Sequence, residues 1–177
     1  MINLIKYHKI ETLKKQNTDE WRNDTVKYLK DLEWVWTEKV HGTNIGIVWD
    51  GYDVSFQGRT ECSSISFELF DYLSDKFASH EIFEEIFGET PAVIFCEGYG
   101  VKSSLLVQFI IFDVFMPNSN CWLTRESVES VATQLGIDVV PVLGTGTLDE
   151  AVQYVASKPK SKVGKCQATI EVDLNMN

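Results

Sequence analysis

Trp36-Thr37-Glu38-Lys39-Val40-His41-Gly42-Thr43-Asn44 gathers the groups needed for covalent chemistry at phosphorus into one short run. A lysine amine is a good nucleophile only when it is neutral and rigidly held. A strand-end turn closed by a glycine can hold it that way. Gly42 has no Cβ, so the backbone there can approach a ligand closely. Thr43 and Asn44 add short polar groups, and Glu38 and His41 bracket the amine. Such an arrangement suits attack by Lys39 on a nucleotide phosphate. His41 is equally readable as a turn histidine satisfied by backbone groups.

Three further elements supply the complementary groups. Gly58-Arg59-Thr60 offers a cation, Phe95-Cys96-Glu97-Gly98-Tyr99-Gly100 a carboxylate, and Phe112-Asp113-Val114 a ring for stacking. Nucleophile, cation, carboxylate and ring together are what binding a nucleoside triphosphate and transferring its monophosphate require. Each group also has an ordinary reading. Arg59 can pair with Glu61, Glu97 can be a hydrated strand-end charge, and Phe112 belongs to a core in either case.

The elements that must position these groups are visible as periodicities. Leu32–Lys39 alternates as a strand with Trp34 and Trp36 on one face. Asn44–Trp49, the turn signal Asp50-Gly51 and Tyr52–Gln57 predict a hairpin. Ile65, Leu69, Leu73 and Phe77 mark one face of a helix, and Glu81–Phe87 a second helix stopped by Gly88. Ala92–Glu97 and Val107–Phe115 read as buried strands, the latter apolar on both faces. Thr124 caps a helix running to Leu135 and stopped by Gly136, and Val139–Leu143 reads as a strand. Gly144-Thr145-Gly146 reads as a loop, not a phosphate cradle, ahead of the capping box Thr147-Leu148-Asp149-Glu150. A basic loop at Lys158–Lys165 and an alternating stretch at Gln167–Leu174 follow. The expected architecture is a single α+β domain over 1–177, with antiparallel sheets flanked by helices.

Composition narrows the functional classes. At 177 residues, 44% hydrophobic and 12% aromatic, the chain is a folded protein with a sizeable core. No apolar run approaches the roughly 20 residues that span a bilayer, and no signal-peptide layout opens the chain. The scattered Cys62, Cys96, Cys121 and Cys166 read as reduced thiols, so a cytoplasmic protein is expected. A net charge of −10 argues against broad binding to a phosphate backbone and confines polyanion contacts to a few sites.

The string Glu38-Lys39-Val40-His41-Gly42-Thr43-Asn44 resembles the nucleophile motif of ATP-dependent RNA ligases, in the branch of phage RNA-repair and RNA-editing ligases. Arg59, Glu97 and Phe112 fall where that family keeps a ribose-contacting arginine, a third-motif glutamate and an adenine-stacking aromatic. The resemblance runs from about Trp34 to Lys165. It implies a nucleotidyltransferase (ATP-grasp-like ligase adenylation) fold, with ATP and Mg²⁺ as cofactors and RNA ends as partners. Lys39 and His41 would act in catalysis. Glu38, Gly42, Thr43, Asn44, Arg59, Glu97, Phe112 and Lys165 would hold the nucleotide, and Glu97 with Glu171 the metal. Three departures stand out. Val172-Asp173 follows Glu171 where the family keeps Gly-Val, and its last lysine motif has no counterpart within 1–177. Ser103-Ser104-Leu105-Leu106 is short and apolar where a longer polar loop is expected. A DNA ligase or a GTP-using capping enzyme of similar fold is the enzymatic alternative. A nucleotide- or RNA-end-binding remnant is the non-catalytic one.

Overall fold

The computed structural model describes residues 4–60, 65–99, 108–163 and 170–171. In chain order the elements begin with α1 (Asp24–Leu29), β1 (Trp34–Glu38), β2 (Thr43–Trp49) and β3 (Val54–Gly58). They continue with α2 (Phe67–Lys76), α3 (Glu81–Phe87), β4 (Ala92–Tyr99), β5 (Gln108–Met116) and β6 (Cys121–Trp122). The last are α4 (Arg125–Leu135), β7 (Asp138–Val139), β8 (Val142–Gly146), α5 (Leu148–Ala156) and β9 (Ile170–Glu171). They form two compact units, one of residues 1–7 and 41–139, the other of residues 8–40 and 140–177.

The first unit holds a six-stranded sheet in the order β3-β2-β4-β5-β6, with β7 pairing β5 as its one parallel partner. Period-2 alternation sends Ile45, Ile47, Ile94, Cys96, Ile111 and Val114 to one face. There they pack on Leu69 and Leu73 of α2, Phe83 of α3, and Val128, Val131 and Leu135 of α4. The opposite face carries Val48, Val93 and Phe95, with Ile5, Tyr7, Phe112, Phe115 and Trp122 packed on them. β4 and β5 are therefore covered on both sides, which explains their almost continuous apolar runs. Burying each such large side chain contributes about 1.5–3 kcal/mol relative to exposure.

One irregularity shapes β5. Phe95 pairs with Asp113 and Cys96 with Ile111, so Phe112 is an extra residue in the ladder, a β-bulge. Phe112 and Asp113 consequently face the same side although they are consecutive: Phe112 packs on Phe95, and Asp113 accepts a hydrogen bond from Tyr7 on that face.

The second unit is built on the sheet β8-β1-β9. Trp34 and Trp36 do share a face, in a core with Val26, Leu148 and Ala151. Asn23 caps α1 by accepting the Val26 N–H at 2.9 Å. The capping box forms as predicted: the Glu150 N–H donates to Thr147 Oγ1 at 3.3 Å, and the Thr147 N–H to Glu150 Oε2 at 2.7 Å. The Thr147 N–H first, and then the Thr147 hydroxyl donating to the same Oε2 at 3.0 Å, hold the Glu150 carboxyl below its ordinary value of 4.5. A depressed carboxyl stabilises the fold above its unfolded pKa, and the contribution is lost as pH falls through the folded one. Thr147→Ala is expected to destabilise this unit by about 1 kcal/mol and to lessen its acid dependence below pH 4.5 only in part, because the backbone N–H of residue 147 still donates to Glu150. Denaturant titrations at neutral and acid pH check both.

Three expectations need correction. The hairpin strand starts at Val54, not Tyr52, because the Asp50 carboxylate accepts the Tyr52 and Asp53 N–H groups at 3.1 and 3.0 Å and keeps both in the turn. The strand expected over Val139–Leu143 is two strands, β7 and β8, broken at Val140-Pro141. Pro141 has no N–H to continue a ladder, while its carbonyl accepts the Glu38 N–H at 2.9 Å. Gly144-Thr145-Gly146 is the end of β8, not a loop: Gly144 and Gly146 sit opposite Trp36 and Trp34. A Cβ on Gly144 would lie 2.8 Å from the Trp36 indole, so the glycine is space made for the ring.

Candidate functional site

In the second unit, β1 delivers Glu38 and Lys39. Glu38 is the last strand residue and is 4% exposed. Its carboxylate accepts the Ser161 hydroxyl and the Lys162 N–H, the latter at 2.9 Å. The turn at 161–162, inside the basic loop, thus anchors the residue beside Lys39. Lys39 follows directly, outside the strand and exposed. Removing the Glu38 carboxylate strips the acceptor from a Lys162 N–H. Glu38→Ala is expected to destabilise this unit by about 1–3 kcal/mol. Glu38→Gln, which keeps one acceptor oxygen, is expected to lose less, as the midpoint of a denaturant titration will show. Lys165 and the Glu171 side chain lie outside the described residues; the Glu171 backbone pairs with Thr37.

In the first unit, His41 and Gly42 lead into β2, where Thr43 is exposed and Asn44 half-buried. Gly42 is the tightest position of the site. A Cβ there would stand 2.0 Å from the Gly98 carbonyl oxygen, so only glycine lets this turn lie against β4. Thr43 pairs with Gly98 and Asn44 with Glu97, placing Asn44 and Glu97 side by side on one face. Glu97 is opposite Ile110 on its other flank, and Phe112 lies two residues on along that face. Asn44, Glu97 and Phe112, distant in sequence, therefore share one side of the sheet. Arg59 is exposed just past the end of β3.

Phe112 sits mid-strand in an aromatic cluster. Its ring centroid is 4.9 Å from that of Tyr7, edge-on at 89°, and 6.2 Å from Phe95 at 28°. The Tyr7 hydroxyl donates to Asp113 Oδ2 at 3.0 Å, and Asp113 is 4% exposed. Gln57 ties the same N-terminal segment down, its amide donating to the Ile5 carbonyl at 2.6 Å. Tyr7, Ser161 and Lys162 were not legible as site residues. Their contacts span 106, 123 and 124 positions and leave no local pattern.

Cys96, next to Glu97, is fully buried, and burial first, then the Glu97 charge, pushes its thiol far above the ordinary range. It is inert packing, as expected of a reduced thiol; Cys62 and Cys166 lie outside the described residues. Among the described residues, no group of three or more His, Cys, Asp and Glu could hold a metal ion, and no helix is long and apolar enough to cross a membrane.

A family model described as RNA ligase matches residues 32–170. No protein of curated function matches the chain in sequence. Solved structures of a Naegleria gruberi RNA ligase share the fold. One mutant with ATP and Mn superposes at a TM-score of 0.67 and 16% identity, covering 92% of this chain and 50% of that one. The same enzyme with pyrophosphate gives 0.62 at 16% identity, covering 90% and 51%. An apo mutant gives 0.63 at 14% identity, covering 82% and 48%. The chain thus spans about half the length of these structures, and its mixed helices and antiparallel sheets share their fold.

Proposed function

Since this chain belongs to the RNA ligase family, we propose that residues 1–177 act as an ATP-dependent adenylylation domain that seals RNA. The observation that carries this reading is the convergence of Asn44, Glu97 and Phe112 on one sheet face, with Gly42 seated on the Gly98 backbone beside them. ATP and Mn with the related Naegleria enzyme support a nucleotide and a divalent cation as its companions.

The neutral Lys39 amine attacks the α-phosphorus of ATP. A P–N bond forms, the P–O bond to the β-phosphate breaks, pyrophosphate leaves, and the amine sheds its proton. A 5′-phosphate oxygen of an RNA end then attacks the same phosphorus and the P–N bond breaks, capping the end with AMP. Finally a 3′-hydroxyl attacks the 5′-phosphorus and AMP departs, leaving a phosphodiester. Each step is an in-line displacement, so positioning and charge neutralisation supply most of the rate. Gly42 through Asn44 approach the phosphates, Arg59 the ribose, and Phe112 the adenine. His41 assists the adenylylation, and Glu38 fixes the strand end that bears Lys39. Lys165 adds positive charge toward the phosphates.

A divalent cation fits Glu97, a half-buried carboxylate beside Asn44, because Mg²⁺ is usually held by one or two carboxylates plus substrate phosphates. Glu171 is its second proposed ligand. Bound there, Mg²⁺ supplies neutralisation of the triphosphate charge.

The test is incubation with Mg²⁺ and ATP labelled at the α-phosphate, followed by a chase with a nicked, 5′-phosphorylated RNA duplex. Label on the denatured protein that moves to RNA is the expected result. Measurable ATP binding without covalent label would overturn the reading.

A further inference from the structure

A cavity of about 160 Å³ opens in the first unit, lined by none of the residues assigned a role above. Tyr72 and Lys76, one turn apart on α2, form one wall; Tyr99, Gln108 and Phe109, from the adjoining ends of β4 and β5, and Asp138 complete it. Phe109 is buried, with the Tyr72 ring edge-on to it at 5.9 Å and 69°. Tyr72 is nonetheless 42% exposed. The Lys76 ammonium donates to the Gly136 carbonyl at 3.2 Å, which pins a cation at the rim. Burial first, then the Asp138 charge, pushes the Tyr99 phenol up, so it stays a hydrogen-bond donor at neutral pH. Gln108 and Asp138 add acceptors.

The same helix exposes Phe67 at 77% and Phe70 at 48%. Phe70 stands edge-on to Phe56 at 5.8 Å, on a different side of α2 from Tyr72, while the residues the helix buries are Leu69 and Leu73. A half-exposed tyrosine ring beside a polar notch with a pinned cation suits one ligand chemistry. Unpaired nucleobases stack on such rings whatever their sequence, while a nearby cation takes the phosphate.

We propose that this cleft receives an unpaired nucleotide of the RNA, its base stacked on Tyr72 and its phosphate held by Lys76. This rests on the reading of RNA as substrate. The helix also carries Glu68, Asp71 and Asp75, so stacking rather than charge must dominate. The salt dependence from this site should be shallow, about 0.7 in slope for one phosphate contact on a single strand.

The test uses the whole chain and a short fluorescent single-stranded RNA, read by anisotropy across a salt series. Tyr72→Ala is expected to weaken binding about tenfold, Tyr72→Phe to bind like the parent, and Lys76→Gln to lower the salt slope by about 0.7. Lysyl-AMP formation should be unchanged in all three. Parent-like affinity in Tyr72→Ala with a parent-like slope in Lys76→Gln overturns the proposal, as does a parent that binds no RNA. Should Tyr72→Ala fail to fold, the Lys76→Gln slope decides alone. A parent that forms no lysyl-AMP yet binds RNA through Tyr72 fails as a ligase while the cleft stands. A labelled parent indifferent to these changes leaves the ligase reading and removes the cleft.

Discussion

Lys39→Ala is expected to abolish covalent labelling by ATP, with a fall in rate of at least about a thousandfold. In the proposed mechanism the amine forms the bond to phosphorus in the first step, and alanine offers no atom to replace it. Lys39→Arg should fail nearly as completely, because a guanidinium stays protonated and has no lone pair to donate. Neither change should cost much stability. Lys39 is exposed and lies outside β1, while the neighbouring Glu38 is the residue tied down by Ser161 and Lys162. The measurement is label on denatured protein, with a thermal melt alongside. Label persisting on the Ala variant would move the nucleophile elsewhere.

Gly42→Ala is expected to have the second-largest effect. The new methyl would be placed 2.0 Å from the Gly98 carbonyl oxygen, with the carbonyl carbon at 2.9 Å. Both are backbone atoms in a paired strand, so no side chain can swing aside. Gly98 cannot retreat easily either, since the space over its Cα is filled by Ile45 and Leu69. The turn must shift instead, and a misplacement near 1 Å costs on the order of a hundredfold in rate. Stability should fall by about 1–3 kcal/mol, as for other overpacked sites. Adenylylation rate and denaturant midpoint read the two effects separately. An Ala variant with parent activity would show that this close approach is dispensable.

The sequence was most informative where one local rule governs. α3 and α4 end where Gly88 and Gly136 stand, and Gly136 adopts a left-handed φ of 61° that few other residues tolerate. The Asp50-Gly51 turn signal located β2 and β3, apolar runs located β4 and β5, and the four motif elements sit on or beside those strands. It was least informative where a distant partner decides. Gly144 and Gly146 carry turn composition, yet they lie in a strand opposite Trp36 and Trp34, where a Cβ on Gly144 would meet the Trp36 indole and one on Gly146 the Glu150 carboxylate and Trp36. Val139–Leu143 has strand composition throughout, but Pro141 withholds the N–H that pairing would use. Glu38 reads as a ligand for nucleotide, and only the fold reveals that its carboxylate is already engaged by residues 161–162. Tyr7 lies in a segment without periodicity, and its hydroxyl reaches Asp113 across 106 positions.

The bulge in β5 separates two demands that usually compete. Omitting Phe112 from the strand would still leave Ile111 and Val114 on the helix-packed face and Asp113 and Phe115 opposite. The ring is thus supernumerary to the pleat. Its loss or exchange would not turn the remainder of the strand inside out, so what the sheet offers a ligand can change while its architecture stays put.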